Sequence, residues 1–191
     1  YTTLFRSVSK GAADVRSNEL LDVSFDFSGW FNCCSVWQER DDTEYCVRQF
    51  YSKQEGIDTV VDKFCDHFKD HKYKFVRIWG EPRGHNKEPL GGTMFEHVAE
   101  KFRARGWAAE VRASAGRTTD HIERNDIINQ IFDETTHLPK VRINEENCKD
   151  VIIALQMTEI KADFTKQKKV EGDRNYPQEH APHFTDTLDY Y

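Results

Sequence analysis

The pattern of apolar and polar positions organises the chain. In Leu20–Phe27 (LLDVSFDF), Leu21, Val23, Phe25 and Phe27 alternate with Asp22, Ser24 and Asp26, the period of a strand. Ser28-Gly29 breaks it. Phe31 to Gln38 reads as a second strand, Asp41-Asp42 as a turn and Glu44 to Tyr51 as a third, which together predict an antiparallel meander. The period then changes. Ile57, Val60, Val61, Phe64, Cys65 and Phe68 recur at helical spacing after Gly56. Phe75 to Trp79 predicts a strand. Phe95, Val98, Ala99 and Phe102 mark a helix within Gly92 to Arg105, stopped by Gly106. Trp107 to Val111 is a short strand. Asp120 can cap the next helix, with Glu123 as its capping-box partner and Ile127, Ile128, Ile131 and Phe132 as its core face. Lys140 to Ile143 is a strand, and Val151, Ile152 and Leu155 mark a further helix. The polar, Lys-rich Thr158 to Val170 suggests a hairpin arm, and HFTDTLDYY a short closing helix. Residues 1–18 lack periodicity and read as a lead-in or linker, which leaves 19–191 as the domain.

The order β-β-β-α-β-α-β-α predicts an α/β domain: a mixed sheet, with a three-strand antiparallel meander plus parallel strands, flanked by helices. At 191 residues, 38% hydrophobic and 31% charged, the chain is long enough for one real core. No apolar run approaches membrane-spanning length, so no membrane association is expected. There is no signal-peptide pattern, and the first residue is Tyr1 rather than Met, so the chain is expected to be a domain of a longer protein. The five cysteines form no C-x-x-C pair, which disfavours a zinc site or a disulfide framework and points to a reducing, cytoplasmic compartment. Cys65 and Cys148 fall on apolar stripes and read as core residues. A net charge of −6 argues against broad coating of nucleic acid. It leaves room for an enzyme that meets DNA with one local face.

Three acids occupy suggestive positions. Asp26 lies near the end of the first strand, Glu81 follows the fourth strand, and Asp186 sits in the last helix. Each has an ordinary explanation: a strand-edge acid facing solvent beside the polar Asp22 and Ser24, a turn residue, and a first-turn acid on a helix dipole. Each also has a chemical one, because functional groups gather at strand ends in open sheets. Gly80 and Gly84 around Glu81 favour close backbone approach of something. Three carboxylates in one pocket need compensating cations, and hard oxygen donors favour Mg²⁺ or Mn²⁺. Two such ions, roughly 3.5–4 Å apart, suit phosphodiester cleavage.

The element order resembles the RNase H-like fold, in which acids from separate strands and a later helix meet at the sheet. SFDFS (24–28), IWGEPRG (78–84), IERNDIIN (122–129) and HFTDTLDYY (183–191) occur in the order of motifs in the C-terminal nuclease domain of tailed-bacteriophage terminase large subunits. The resemblance covers the chain from about Leu20 onward. It implies that Asp26, Glu81 and Asp186 are the catalytic, metal-binding acids, with His183 and Asp189 as candidates for the surrounding shell. The family pattern more often has Asp where this chain has Glu81. The resemblance also implies a two-metal DNA endonuclease cutting concatemeric duplex DNA at the start and end of genome packaging. Its partners would be an upstream ATPase domain of the same polypeptide, the portal and the small terminase subunit, in the cytoplasm of an infected host. No G-x-x-x-x-G-K-[ST] loop occurs here, consistent with an ATPase lying upstream.

Candidate DNA contacts are Arg83, His85 and Lys87 after Glu81, Arg124 on the third helix, and Lys161, Lys166, Lys168 and Lys169 in the basic stretch. A solvated charge run explains that stretch equally well. Two alternatives stand beside the terminase reading: a Holliday-junction resolvase or transposase-type nuclease, and a non-catalytic docking module of the packaging motor.

Overall fold

The computed structural model describes residues 4–87, 91–114 and 120–191. In chain order the elements are α1 (Leu4–Ser7), β1 (Val8–Ser9), β2 (Leu21–Ser28), β3 (Phe31–Arg40), β4 (Thr43–Lys53), α2 (Ile57–His67), β5 (Phe75–Gly80), α3 (Met94–Ala104), β6 (Ala108–Val111), α4 (His121–Phe132), β7 (Lys140–Asn144), α5 (Lys149–Met157) and α6 (His183–Tyr190). Short 3-10 turns at Pro82–His85, Lys169–Gly172 and Gln178–His180 complete the path.

The strands form one seven-stranded sheet in the order β1-β7-β4-β3-β2-β5-β6. β2, β3 and β4 are the expected antiparallel meander. Its second turn is Asp41-Asp42, both at positive φ, as a two-residue hairpin turn requires. The β2–β5, β5–β6, β4–β7 and β1–β7 pairs are parallel.

Each face of the sheet carries its own apolar layer. Leu21, Val23 and Phe25 of β2, with Cys34, Val36, Val76 and Ile78, pack against Val60, Val61 and Phe64 of α2 and Phe95, Val98 and Phe102 of α3. The opposite face joins Phe31, Cys33, Trp37, Cys46 and Ile143 to Ile128 and Phe132 of α4, Val151 and Leu155 of α5, and Phe184 of α6. All five cysteines are buried and free, Cys65 and Cys148 among them.

Several expectations need correction. The stretch 1–18 is not a loose lead-in where it is described. Leu4 and Ala13 are buried, β1 pairs with β7, and Arg40 donates to the carbonyls of Ala12 and Asp14. A two-residue strand held by backbone bonds leaves no periodic trace to read. Residues 1–3 of that stretch lie outside the described residues. In α4, Ile128 and Phe132 are buried but Ile127 is 38% exposed, so the core face is narrower than the run of isoleucines implies. Asp120 caps α4 by accepting from the Ile122 N–H. The capping box belongs to α3 instead, between Thr93 and Glu96. The hairpin arm reduces to a single antiparallel bridge, Ile160 to Lys166.

Candidate active site

Strand pairing assembles the site. Phe25 of β2 is in register with Gly80 of β5, so the next residues are neighbours: Asp26, still paired with Cys33 of β3, and Glu81, just past the end of β5. Asp26 shares its face with Asp22 and Ser24, because alternate residues of a strand point the same way. That face is not open to solvent. α6 packs across β2 and β3 there, which buries Asp22, Ser24, Asp26 and Ser35. The polar alternation that suggests a wet face is instead a polar seam beneath a helix. Within it Trp37 Nε1 donates to Ser35 Oγ at 2.7 Å, and Ser35 Oγ donates to Thr187 of α6 at 2.8 Å. Asp186 and His183 come from the same helix and are buried too.

The hydrogen bonds around Asp26 converge on one oxygen. Ser28 Oγ donates to Asp26 Oδ2 at 2.5 Å, and His183 Nδ1 lies 2.8 Å from it. A carboxylate only accepts, so that ring nitrogen carries the proton. The ring stacks on Phe31 at 4.9 Å, so the imidazole is held through Nδ1 and on one face.

Glu81 accepts from Arg83, whose own side chain is 79% exposed. Burial raises the Glu81 carboxyl above its ordinary range, and Asp26 adds to this while Arg83 opposes it. The glycines beside it serve the protein's own core. A Cβ on Gly80 would meet the Phe25 carbonyl at 2.9 Å, and one on Gly84 would meet the rings of Phe27 and Phe95 at 2.7 Å. The close approach inferred from those glycines is therefore to the backbone of β2 and to aromatic side chains.

Asp186 is satisfied by cations. Lys166 Nζ donates to its Oδ1 at 2.9 Å, and Lys168 pairs with its Oδ2. Burial pushes this carboxyl up, but the two ammonium groups outweigh it and the net shift is downward. Lys166 also reaches Asp189 at 2.7 Å, and Arg124 reaches the same Asp189 oxygen at 3.3 Å. Lys168 further contacts Glu171 at 3.5 Å. Burial, then the charges of Asp186, Asp26, Glu81 and Asp189, raise the Tyr190 phenol far above its usual range.

A cavity of about 450 Å³ opens over this centre, lined by Asp26, Glu81, Arg83, Lys168 and Glu171 among others. Glu171 is the residue that sequence reasoning missed. It lies in a polar stretch with no periodicity, and only the 3-10 turn at Lys169–Gly172 brings it to the acids. Burial raises its carboxyl, Lys168 and His183 oppose this, and its Oε1 has no hydrogen-bond donor.

The candidate DNA contacts divide. Lys166 and Lys168 turn inward onto acids, and Arg124 pairs with Asp189. His85 Nε2 lies 2.9 Å from the Ala113 carbonyl and its ring tilts onto Phe95, so it braces the loop. Arg83, Lys87, Lys161 and Lys169 are exposed.

Three acids, Asp26, Glu81 and Glu171, line the cavity, and carboxylate oxygens are the donors that a hard divalent ion takes. Among the described residues no group of three His, Cys, Asp or Glu side chains is arranged to hold a metal ion. Lys166 and Lys168 balance Asp186 in place of one.

The seven-stranded mixed sheet with helices on both faces has the RNase H-like fold. No protein-family profile matches the chain, and no curated protein matches it by sequence. Solved structures do match, and they place the fold with the nuclease domains of phage large terminases. The large terminase of a thermophilic bacteriophage, in complex with ATP-γ-S, aligns at TM-score 0.61 and 13% identity. The alignment covers 98% of this chain and 42% of that one, so this chain spans less than half the length of the terminase chain it matches. The nuclease domain of the large terminase subunit of bacterial virus Sf6 aligns at TM-score 0.53 and 8% identity, over 98% of this chain and 94% of that one. A mutant of the Sf6 domain with manganese aligns at TM-score 0.51 and 8% identity, over 91% and 88%.

Proposed function

We propose that this chain is the nuclease domain of a viral DNA-packaging terminase, a metal-dependent endonuclease that cuts concatemeric duplex DNA when packaging begins and ends. The observation that carries the reading is the parallel register of β2 and β5, which sets Asp26 beside Glu81 beneath a helix bearing Asp186. The shared fold with terminase nuclease domains supports it.

Asp26, Glu81 and Asp186 would hold Mg²⁺ or Mn²⁺, with Glu171 at the same cavity. When bound, such ions polarise the scissile phosphate and lower the pKa of an attacking water, most effectively as a pair. The chain's own residues do the positioning. Ser28 and His183 fix the Asp26 carboxylate through Oδ2. Lys166 and Lys168 keep Asp186 ionised and occupy both of its oxygens, so a metal ion there displaces one of the ammonium groups. Arg83, exposed at the cavity rim, meets a DNA phosphate, and Lys87, Lys161 and Lys169 extend that contact. Phosphate contacts of this kind position duplex DNA without reading its sequence.

The ATPase domain lies elsewhere in the same polypeptide, and the portal and small terminase subunit are its partners in the host cytoplasm. Among the described residues no helix is long and apolar enough to cross a membrane. One observation favours a second reading, a docking module without catalysis: Asp186 is already neutralised by lysines. Plasmid cleavage with Mn²⁺ or Mg²⁺ separates the two. Wild type linearises or degrades the plasmid, and Asp26→Ala does not. Equal behaviour of the two proteins would remove the nuclease reading.

A further inference from the structure

Glu171 belongs to neither the sheet nor its helices, yet the fold fixes it at the acid cavity. The 3-10 turn Lys169–Gly172 carries it, and one side chain pins the loop around that turn. Gln178 is 2% exposed, and its Nε2 donates to the carbonyls of Val170 and Asp173, both at 2.9 Å, and of Tyr176 at 3.2 Å. A buried amide spread over three carbonyls of one loop holds that loop's path. A solvated charge run needs no such fastening.

The turn sets Glu171 against a cation. The Lys168 ammonium sits between two carboxylates, pairing with Asp186 Oδ2 and lying 3.5 Å from Glu171 Oε1. Lys168 and Glu171 line the same cavity as Asp26 and Glu81. A positive group held by two carboxylates, with two more acids on the same cavity, marks a place that suits a cation. The two lysines on Asp186 differ in freedom. Lys166 is 9% exposed and bridges to Asp189, whereas Lys168 is 48% exposed. Lys168 is therefore the one that can swing out and keep its charge in water. Its departure leaves the Asp186 and Glu171 carboxylates to a new cation, and a hard divalent ion takes such oxygens. Burial raises the Glu171 carboxyl, Lys168 and His183 oppose this, and Asp186 and Asp26 add to it. A doubly charged ion beside that carboxyl favours its ionised form.

We propose that Glu171 is a fourth metal-binding acid of this centre, and that it and Asp186 share a divalent cation taken in exchange for the Lys168 ammonium. The inference deepens the nuclease reading and rests on it, because that reading supplies the metal. It adds a ligand from outside the three motif acids. It also gives Lys168 the part of a built-in counter-ion, which leaves when the metal arrives.

The test is Mn²⁺ calorimetry on the 191-residue chain and on Glu171→Gln, Lys168→Ala and the two combined. Glutamine keeps the shape of the side chain and removes its charge, and the Tm of each variant verifies its fold. Glu171→Gln binds Mn²⁺ at least about tenfold more weakly than wild type. The same loss appears when Glu171→Gln is added to Lys168→Ala, because a direct ligand is missing in both backgrounds. If Glu171 acts only as the partner of Lys168, the loss vanishes once the lysine is gone. That result, an unchanged affinity in Glu171→Gln, or no saturable Mn²⁺ binding by wild type overturns the proposal. No cleavage enters the titration, so it fails separately from the nuclease reading. Normal plasmid cleavage beside Mn²⁺ binding that ignores Glu171 defeats only this inference. Binding that depends on Glu171, in a protein that leaves the plasmid intact, defeats only the nuclease reading.

Discussion

Asp22 and Asp26 are the same residue type, four positions apart on one strand, on one face, and both buried. Their surroundings differ completely. Asp22 takes Arg77 Nε at 2.7 Å, a second Arg77 nitrogen at 2.5 Å and Trp79 Nε1 at 2.7 Å. Both oxygens are used by a bidentate guanidinium and an indole from the neighbouring strand, β5. Asp26 lies further along β2, where Ser28 and His183 meet a single oxygen and the cavity opens. One carboxylate is closed by its partners and the other is held while remaining accessible. Burial alone does not tell the two apart; the difference lies in which oxygens their partners leave open.

The strongest way to break this comparison is to remove each acid in turn. Asp26→Ala is expected to lower Mn²⁺-dependent plasmid cleavage on the order of 1,000-fold or more, with little change in Tm. Asp22→Ala should do the reverse. It leaves Arg77 without its partner in a largely buried pair, so denaturant unfolding should show a loss of about 3 kcal/mol. Cleavage well below the unfolding temperature should persist. If Asp22→Ala abolished cleavage in a fully folded protein, the division into a structural and a functional acid would be wrong.

A smaller effect concerns Lys168, which pairs with Asp186 from a half-exposed side chain. Removing a competing ammonium frees the carboxylate for a cation. Lys168→Ala should therefore bind Mn²⁺ up to about tenfold tighter in calorimetry, a modest gain because exposed ion pairs are weak. Weaker binding would mean that the lysine helps assemble the site.

The smallest effect is a pH dependence at Glu81. Burial raises its folded pKa above the ordinary value, so its charge costs the folded state more than the unfolded one. Its contribution is therefore fully favourable below the unfolded value, near pH 4.5, and is lost as pH rises through the folded pKa. Glu81→Gln should raise Tm by about 1–2 °C at pH 7. The gain should fade as the pH is lowered toward 4.5. A loss of Tm at pH 7 would show that the Arg83 pair outweighs burial.

Much of the fold was legible because periodicity is a local property. The meander, the helix at Ile57–His67 and the strand at Phe75–Gly80 follow from side-chain spacing and turn residues. What could not be read depends on neighbours distant in sequence. Asp22, Ser24 and Asp26 look like a solvent face until α6 is laid over them. Ile127 looks like core until α4 is rotated against the sheet. Lys166, Lys168 and Glu171 look like a solvated charge run, yet they turn onto charged partners deep in the site.

By itself the sequence determined the element types and their order, since strand and helix periods are written in consecutive residues. It also placed acids at strand ends, and the resemblance of short motifs singled out three of them. Only the tertiary structure decided which groups meet. Asp26 and Glu81 become neighbours because β2 pairs in parallel with β5, and His183 reaches Asp26 because α6 lies across the polar seam of the sheet. The same packing set the difference between Asp22 and Asp26. Hydrogen-bond partners and accessibility are properties of the assembled neighbourhood, and no local pattern along β2 encodes them.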